Sequence, residues 1–321
     1  MSLTEFDLIK QYFSQRQSKR SDVILGIGDD AAIVDVPSDK QLVVATDSLV
    51  AGIHFSEQTS PKDVAYKSLA VNLSDFAAMG AEPAWLTLAL TMPEANAQWL
   101  QAFSEGLFEL IDHYSLQLIG GDTTRGPLTI SIQLLGFIPY GKALRRQCAQ
   151  INDGIYVTGQ LGDAGLALLD KQQPLQLTAL SRNHINDRLN RPTPRCDIGQ
   201  QLLDVATSAI DVSDGVLADL SHILESSAVA ATINVDSIPR SPILLESVSN
   251  AQGLQLALTA GDDYELCFTA PDEMQDKIFA MASQQAVCCT LIGRIKQGAG
   301  LELKHSDGTI YHSPLLGYKH F

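Results

Sequence analysis

Short apolar runs alternate with amphipathic stretches along most of the chain, and several of the runs end on aspartate. Val23-Ile24-Leu25 leads into Gly26-Ile27-Gly28-Asp29-Asp30, and Leu42-Val43-Val44-Ala45-Thr46 into Asp47. Leu116-Gln117-Leu118-Ile119 leads into Gly120-Gly121-Asp122. These runs, with the alternating stretch 84–92 and residues 128–138, predict strands, and 120–127 reads as the loop between the strands at 116–119 and 128–138. Ser60-Pro61 opens a helix to about Met79, with proline at its first position and Gly80 beyond its end. Leu69, Leu73 and Phe76 share its buried face. Asn72 and Asp75 lie together on a neighbouring face, where a solvated surface pair is the plain alternative. A second long helix is expected over about 94–114. At the start, Ser2 and Glu5 fit a capping box, with Phe6, Ile9 and Phe13 on one side.

The second half opens near Asn152-Asp153-Gly154 with a strand at 155–158 and a helix around 164–169. Arg191-Pro192-Thr193-Pro194-Arg195 precedes another helix. A helix over 215–227 is capped by Ser213 or Asp214, followed by strands at 230–235, 264–269 and 288–292 and a hairpin turning at Asp307-Gly308. Mixed strands and helices in both halves predict two α/β or α+β domains, 1–150 and 151–321.

Composition narrows the class. With 45% hydrophobic and 18% charged residues the 321-residue chain reads as an ordinary globular protein. No apolar stretch approaches a membrane span, and the start lacks signal-peptide character. Five cysteines without a C-x-x-C pair favour a reducing cytoplasm over a zinc site or disulfide framework. A net charge of -15 argues against nucleic acid or an anionic membrane as partner. It does not exclude a phosphate-rich ligand, because salt screens repulsion beyond about 8 Å and a bound cation reverses the local sign.

Each Gly-Asp or Asp-Gly pair alone is ordinary turn chemistry. Their repeated placement after apolar runs is not. A carboxylate where a buried strand emerges is held by a rigid frame, and it is the hard oxygen donor that Mg²⁺ prefers. Ile210-Asp211-Val212-Ser213-Asp214-Gly215 and Gly261-Asp262-Asp263-Tyr264-Glu265 continue the series. Five such places point to several Mg²⁺ ions around a polyphosphate. The basic cluster Gly141-Lys142-Ala143-Leu144-Arg145-Arg146 is either a solvated loop or a grip on phosphate.

Two familiar nucleotide motifs fail. Gly136-Phe137-Ile138-Pro139-Tyr140-Gly141-Lys142-Ala143 lacks the Ser or Thr of a P-loop and has Pro139 inside it. Gly159, Gly162 and Gly165 are not spaced as G-x-G-x-x-G and read as close helix–strand packing. No H-R-D and D-F-G pair occurs.

Taken together in order, these motifs resemble the thiamine-monophosphate kinase family. It belongs to the superfamily of aminoimidazole ribonucleotide synthetase, selenide water dikinase and a hydrogenase-maturation protein. The resemblance runs nearly full length. It rests on residues 26–32, 45–55, Val71-Asn72-Leu73-Ser74-Asp75-Phe76-Ala77-Ala78-Met79-Gly80, 119–126, 210–215 and Asp263-Tyr264-Glu265-Leu266-Cys267-Phe268. It implies a two-domain aminoimidazole ribonucleotide synthetase-like fold, a homodimer built through N-terminal sheets, and ATP at the inter-domain cleft. It also implies that Asp30, Thr46, Asp47, Asp75, Asp122, Asp211 and Asp214 hold Mg²⁺. By the same resemblance Tyr114, Gly121, Asp122, Arg146 and Ser213 serve ATP, while His54, Asp262 and Tyr318 serve thiamine phosphate. Asp47, Asp122 and Arg146 carry the catalytic expectation. The chain departs from relatives at Asp262, often Glu, at Ala45, where a hydroxyl can occur, and at Tyr318, near a place that can hold Trp.

The implied reaction moves the γ-phosphoryl group of ATP onto thiamine phosphate. That acceptor is already ionised near neutral pH, so no strong general base is required. The sister dikinase calls for a reactive cysteine near the start, yet the first here is Cys148. The hydrogenase-maturation relative uses a C-terminal cysteine, and this chain ends Lys319-His320-Phe321. Aminoimidazole ribonucleotide synthetase activity, a metal-dependent phosphohydrolase and a non-catalytic nucleotide binder stay open as alternatives.

Overall fold

The structure, a computed structural model, describes residues 5–14, 19–314 and 317, without the side chains of Glu5 and Phe6. The expected capping residue Ser2 and the candidate Tyr318 lie outside the described residues. The chain divides into two compact units, one of Met1–Phe76 and Ala81–Lys142, the other of Ala77–Gly80 and Ala143–Phe321.

In the first unit α1 (Glu5–Leu8) continues as a π-helical turn, Ile9–Ser14. The ribbon β1 (Val23–Leu25) and β2 (Ile33–Val34) follows, then β3 (Lys40–Val50), α2 (Pro61–Met79), β4 (Glu82–Met92), α3 (Ala97–His113), β5 (Gln117–Arg125) and β6 (Thr129–Pro139). The main sheet has the order β3-β6-β4-β5. Only β4 and β5 run parallel, as they must when a helix such as α3 carries the chain back between them. α2 starts where expected, because the Ser60 hydroxyl accepts the Asp63 N–H at 3.1 Å and donates to the Asp63 carboxylate at 2.8 Å. Asn96, accepting from the Trp99 N–H, sets the start of α3 later than the apolar pattern suggests. The solvated-face reading of Asn72 fails: α2 is covered on that side too, and Asn72 is 0% exposed.

The expected loop over 120–127 is mostly strand. β5 pairs with β4 residue for residue from Gly120 opposite Thr87 to Arg125 opposite Met92, after a register shift that leaves Ile119 bulged. Gly121 makes the pairing possible. At φ 154 it sits where a Cβ would come within 1.9 Å of the Leu88 carbonyl oxygen. Its composition reads as a turn, but the close approach of two strands is what requires glycine.

The second unit contains β7 (Gly154–Thr158), α4 (Asp163–Gln172), α5 (Ala179–Asn190), α6 (Cys196–Leu202), β8 (Ser208–Asp211), α7 (Val216–Ser227) and β9 (Ala230–Asn234). It continues with α8 (Pro242–Ser247), α9 (Asn250–Thr259), β10 (Leu266–Ala270), α10 (Gln275–Gln284), β11 (Cys289–Lys296) and β12 (Gly300–Lys304). The six-stranded sheet runs β12-β9-β11-β7-β10-β8, with only β12 and β9 parallel. Its core joins Ile155 and Val157 of β7 to Leu217, Leu220 and Ile223 of α7. Gly162 and Gly165 pack helix on helix and not helix on strand, while Gly159 lies against the Glu265 carboxylate. A Cβ on Gly162 would lie 2.7 Å from the Ala257 nitrogen, and one on Gly165 would lie 2.4 Å from the Ala260 Cβ. β10 begins two residues later than expected because Asp262 (φ 59) and Tyr264 (φ 49) are left-handed and cannot extend the strand.

Candidate active site

Strand alternation sorts the first-unit candidates onto two faces. Thr46 faces Gln133, whose side-chain amide reaches the threonine hydroxyl at 3.4 Å, and Ser48 meets Ser131 at 2.6 Å. Asp122 stands opposite Ala89, which is opposite Ser131, so Asp122 shares this face with Thr46. Asp47 pairs with Ile132 and points to the other side, where it hydrogen-bonds Asp75 of α2. Burial pushes the Asp47 carboxyl above the usual carboxylate range, and the hydrogen bond with Asp75 works against that rise. One turn before Asp75, the Asn72 Nδ2 donates to the Ser68 carbonyl, while its Oδ1 has no partner among the described residues. Leaving such an oxygen buried costs about 1–3 kcal/mol. Two facing carboxylates and an orphaned amide oxygen are hard donors in want of a cation. This donor chemistry fits Mg²⁺.

Asp30 and Asp122 meet around a cavity of about 550 Å³ within the first unit, lined also by Gly28, Thr87, Gly120 and Gly121. The β5 bulge aims Asp122 here. Tyr114 is the C-cap of α3, with its ring 4.6 Å from that of His113, and does not line the cavity. His54 sits in the turn after β3. Its Nδ1 accepts the Val50 N–H at 3.0 Å, which fixes the neutral tautomer with the proton on Nε2. Lys67, 2% exposed, donates to the His54 carbonyl at 3.3 Å and pins that turn.

In the second unit Asp211 ends β8, and Ser213 and Asp214 follow it. The expected cap on α7 is corrected: the N-cap is Gly215, with no side-chain bond. Asp219, in the first turn, reaches back instead and accepts the N–H groups of Ser213 and Asp214, each at 3.0 Å. Burial first, then the charges of Asp211 and Asp214, push Asp219 up to about 7 against those hydrogen bonds. Asp262 is tied to the same segment, its N–H donating to the Ser213 carbonyl at 2.8 Å.

Below this loop lies a buried network that the motif reading missed. Asp263, raised well above the carboxylate range chiefly by burial, takes the Gly162 N–H on both oxygens at 2.9 and 3.0 Å. Glu265 accepts from Arg195 at 2.7 and 2.6 Å, from Arg188 at 3.0 Å and from Thr158 at 2.7 Å. Arginine spacing in the proline-containing stretch 191–195 was the one available signal. Arg146 is exposed in a 3₁₀ turn, Arg146–Cys148, whose backbone is held by the Ser227 hydroxyl at 2.9 Å.

Among the described residues no three His, Cys, Asp or Glu side chains gather around one point. The candidate ligands therefore stand as separate small sets, Asp47 with Asp75, Asp30 with Asp122, and Asp211 near Asp214. Dispersed carboxylates of this kind suit Mg²⁺, which takes one or two protein oxygens and completes its shell with water and phosphate. No strong base or nucleophile stands among them.

Models of the AIR synthase related protein match the chain in both parts, the N-terminal domain over residues 28–138 and the C-terminal domain over 150–306. The thiamine-monophosphate kinase of Salmonella typhimurium is 47% identical over 323 residues, covering 100% of this chain and 99% of its own. The crystal structure of thiamine-monophosphate kinase from Stenotrophomonas maltophilia superposes with a TM-score of 0.86 at 47% identity, over 91% of this chain and 93% of that one. The structure of AaThiL complexed with AMPPCP and TMP superposes with a TM-score of 0.77 at 30% identity, over 92% of each chain. Full-length likeness to these enzymes, on a two-domain AIR synthase-like fold, places the chain in the thiamine-monophosphate kinase family.

Proposed function

We propose that this chain is an ATP-dependent kinase that phosphorylates thiamine monophosphate to thiamine diphosphate. The observation that carries it is the 30% identity over 92% of the chain to a structure that holds AMPPCP, a methylene-bridged ATP analogue, together with TMP. An oxygen of the acceptor phosphate attacks the γ-phosphorus. The bond from that phosphorus to the bridging oxygen breaks, and ADP leaves with the electron pair. Two anions must be aligned and their repulsion offset, which is positioning and electrostatic work. Asp30 with Asp122, Thr46, Asp47 with Asp75, and Asp211 with Asp214 are the residues to hold Mg²⁺, which supplies the charge that neutralises phosphate oxygens. Ser213, Gly121, Tyr114 and Arg146 are assigned to the nucleotide. His54, held by Val50 and Lys67, and Asp262, held by Ser213, are assigned to thiamine phosphate.

The assay that tests the function supplies ATP, Mg²⁺ and thiamine phosphate and scores thiamine diphosphate by chromatography. Phosphate release from ATP without any acceptor would favour the phosphohydrolase alternative instead. The two substrate assignments should separate kinetically. His54→Ala is expected to raise the KM for thiamine phosphate about tenfold, the scale of one lost hydrogen bond to a charged group, with the ATP KM nearly unchanged. Arg146→Ala is expected to do the reverse. If both variants shift the same KM, one of the two assignments is wrong.

Transfer is direct, through a ternary complex, because a phosphoenzyme would add a step without easing the meeting of two anions. An isotopically chiral γ-phosphate is therefore expected to arrive inverted, and retention would establish a covalent intermediate.

The same reading includes a homodimer in the cytoplasm. Leu42 and Val44, 46% and 50% exposed, lie on the open face of edge strand β3, where a second copy would cover them. Sedimentation at micromolar concentration tests this. No disulfide joins cysteines among the described residues, and no described helix is long and apolar enough to cross a membrane.

A further inference from the structure

The Ser213–Asp214 segment is gripped on both sides of its backbone. Asp219 accepts both of its N–H groups through one oxygen, and the Ser213 carbonyl takes the Asp262 N–H. One residue earlier, the Val212 carbonyl accepts from Tyr264 at 2.9 Å, and the Val212 N–H donates to Glu265 at 2.8 Å. Gly215 and Gly261 bring the chains this close: a Cβ on Gly261 would lie 2.3 Å from the Ser213 oxygen, and one on Gly215 2.8 Å from the Thr259 carbonyl carbon.

A carboxylate is a costly choice for this task. Asp219 is 3% exposed and lies beside two further aspartates, Asp211 and Asp214. Neutral side chains cap helices elsewhere in the unit, Thr178 for α5, Ser241 for α8 and Ser249 for α9. Capping alone does not call for an anion here. A single carboxyl oxygen, shared by two adjacent N–H groups at 3.0 Å each, clamps this turn at two consecutive residues.

We propose that Asp219 is a positioning residue for phosphoryl transfer, fixing the Ser213–Asp214 backbone so that this segment and the attached Asp262 present one geometry to nucleotide and acceptor. The proposal rests on the assignment of Ser213 and Asp214 to nucleotide and metal made above. Asp219 itself touches neither substrate.

The test compares Asp219→Ala and Asp219→Asn with Thr178→Ala, which removes a cap from the same unit away from the loop. Mg²⁺–AMPPCP binding by calorimetry gives a readout without turnover, and steady-state kinetics supply kcat and both KM values. Asp219→Ala is expected to weaken AMPPCP binding at least ~10-fold, the worth of two lost hydrogen bonds, and to lower kcat as well. Asp219→Asn, with one neutral oxygen left as acceptor, should fall between, and Thr178→Ala should change binding less than about twofold. Circular dichroism confirms folding at the assay temperature, and if Asp219→Ala is unfolded, Asp219→Asn decides. Wild-type AMPPCP binding in the folded Asp219 variants, with only a lower melting temperature, overturns the proposal. A wild-type protein that binds AMPPCP but does not phosphorylate thiamine phosphate overturns the assigned function instead, while the binding comparison still reads the role of Asp219.

Discussion

Asp47→Asn is expected to lower turnover at least ~10²-fold, the scale of losing a charge-stabilising group, while the metal-free protein melts no lower than wild type. The two effects have one origin. Asp47 is buried against Asp75, and its folded-state pKa is raised above the ordinary 3.8 by that burial. A carboxyl with a raised folded pKa binds its proton more tightly in the native state than in the unfolded one. It therefore costs no stability at low pH, and the cost grows as pH rises from about 3.8 through the folded pKa. Asparagine keeps the size, cannot ionise, and its amide can donate to Asp75. In EDTA at pH 8 the variant should thus match or exceed the wild-type melting temperature, and the difference should shrink toward pH 4. Turnover needs the charge that stability does not. Near-normal kcat at saturating Mg²⁺, or a large drop in apo melting temperature, would return Asp47 to a structural role.

The candidate aspartates were legible in the sequence because a strand end beside glycine is both a local pattern and a functional place. Their arrangement was not. Thr46 and Asp47 are consecutive, yet strand alternation sends them to opposite faces, and one bulged residue at Ile119 decides which face Asp122 joins. Register and bulges depend on pairing partners far away in sequence, which apolar periodicity does not carry. α5 shows the same limit, since only Ile185 and Leu189 of its 12 residues are buried, too few for a clear stripe. Asp219 looked like an ordinary polar position, and Asp263 and Glu265 read as part of a carboxylate motif and not as a buried ion-pair network. Their roles come from burial, and burial is a property of the assembled unit.

The second large effect concerns stability. Arg195→Met is expected to destabilise the protein by about 3–5 kcal/mol, the usual cost of leaving a buried carboxylate without its main cation. Glu265 is 1% exposed, and burial alone would raise its pKa. Yet it is lowered below the ordinary 4.5, because the hydrogen bonds and charge of Arg195, the charge of Arg188 and the Thr158 hydroxyl outweigh burial. A depressed folded pKa means stability that is present above about 4.5 and lost as pH falls through the folded value. Without Arg195 the balance reverses, Glu265 is pushed upward, and the variant's deficit should be larger at pH 7.5 than at pH 5. Pairing the change with Glu265→Gln removes the stranded charge while Thr158 can still donate to the amide oxygen, so the double variant should recover part of the loss. The deficit in melting temperature should be on the order of 10 °C for the single variant. The loop above should loosen as well, because Asp262 and Tyr264 hold left-handed backbone angles that persist only when the surroundings enforce them. Urea melts of the wild type, both single variants and the double variant at the two pH values give the cycle. A double variant no more stable than Arg195→Met would mean that the arginine acts by packing its stem and not by holding the Glu265 charge.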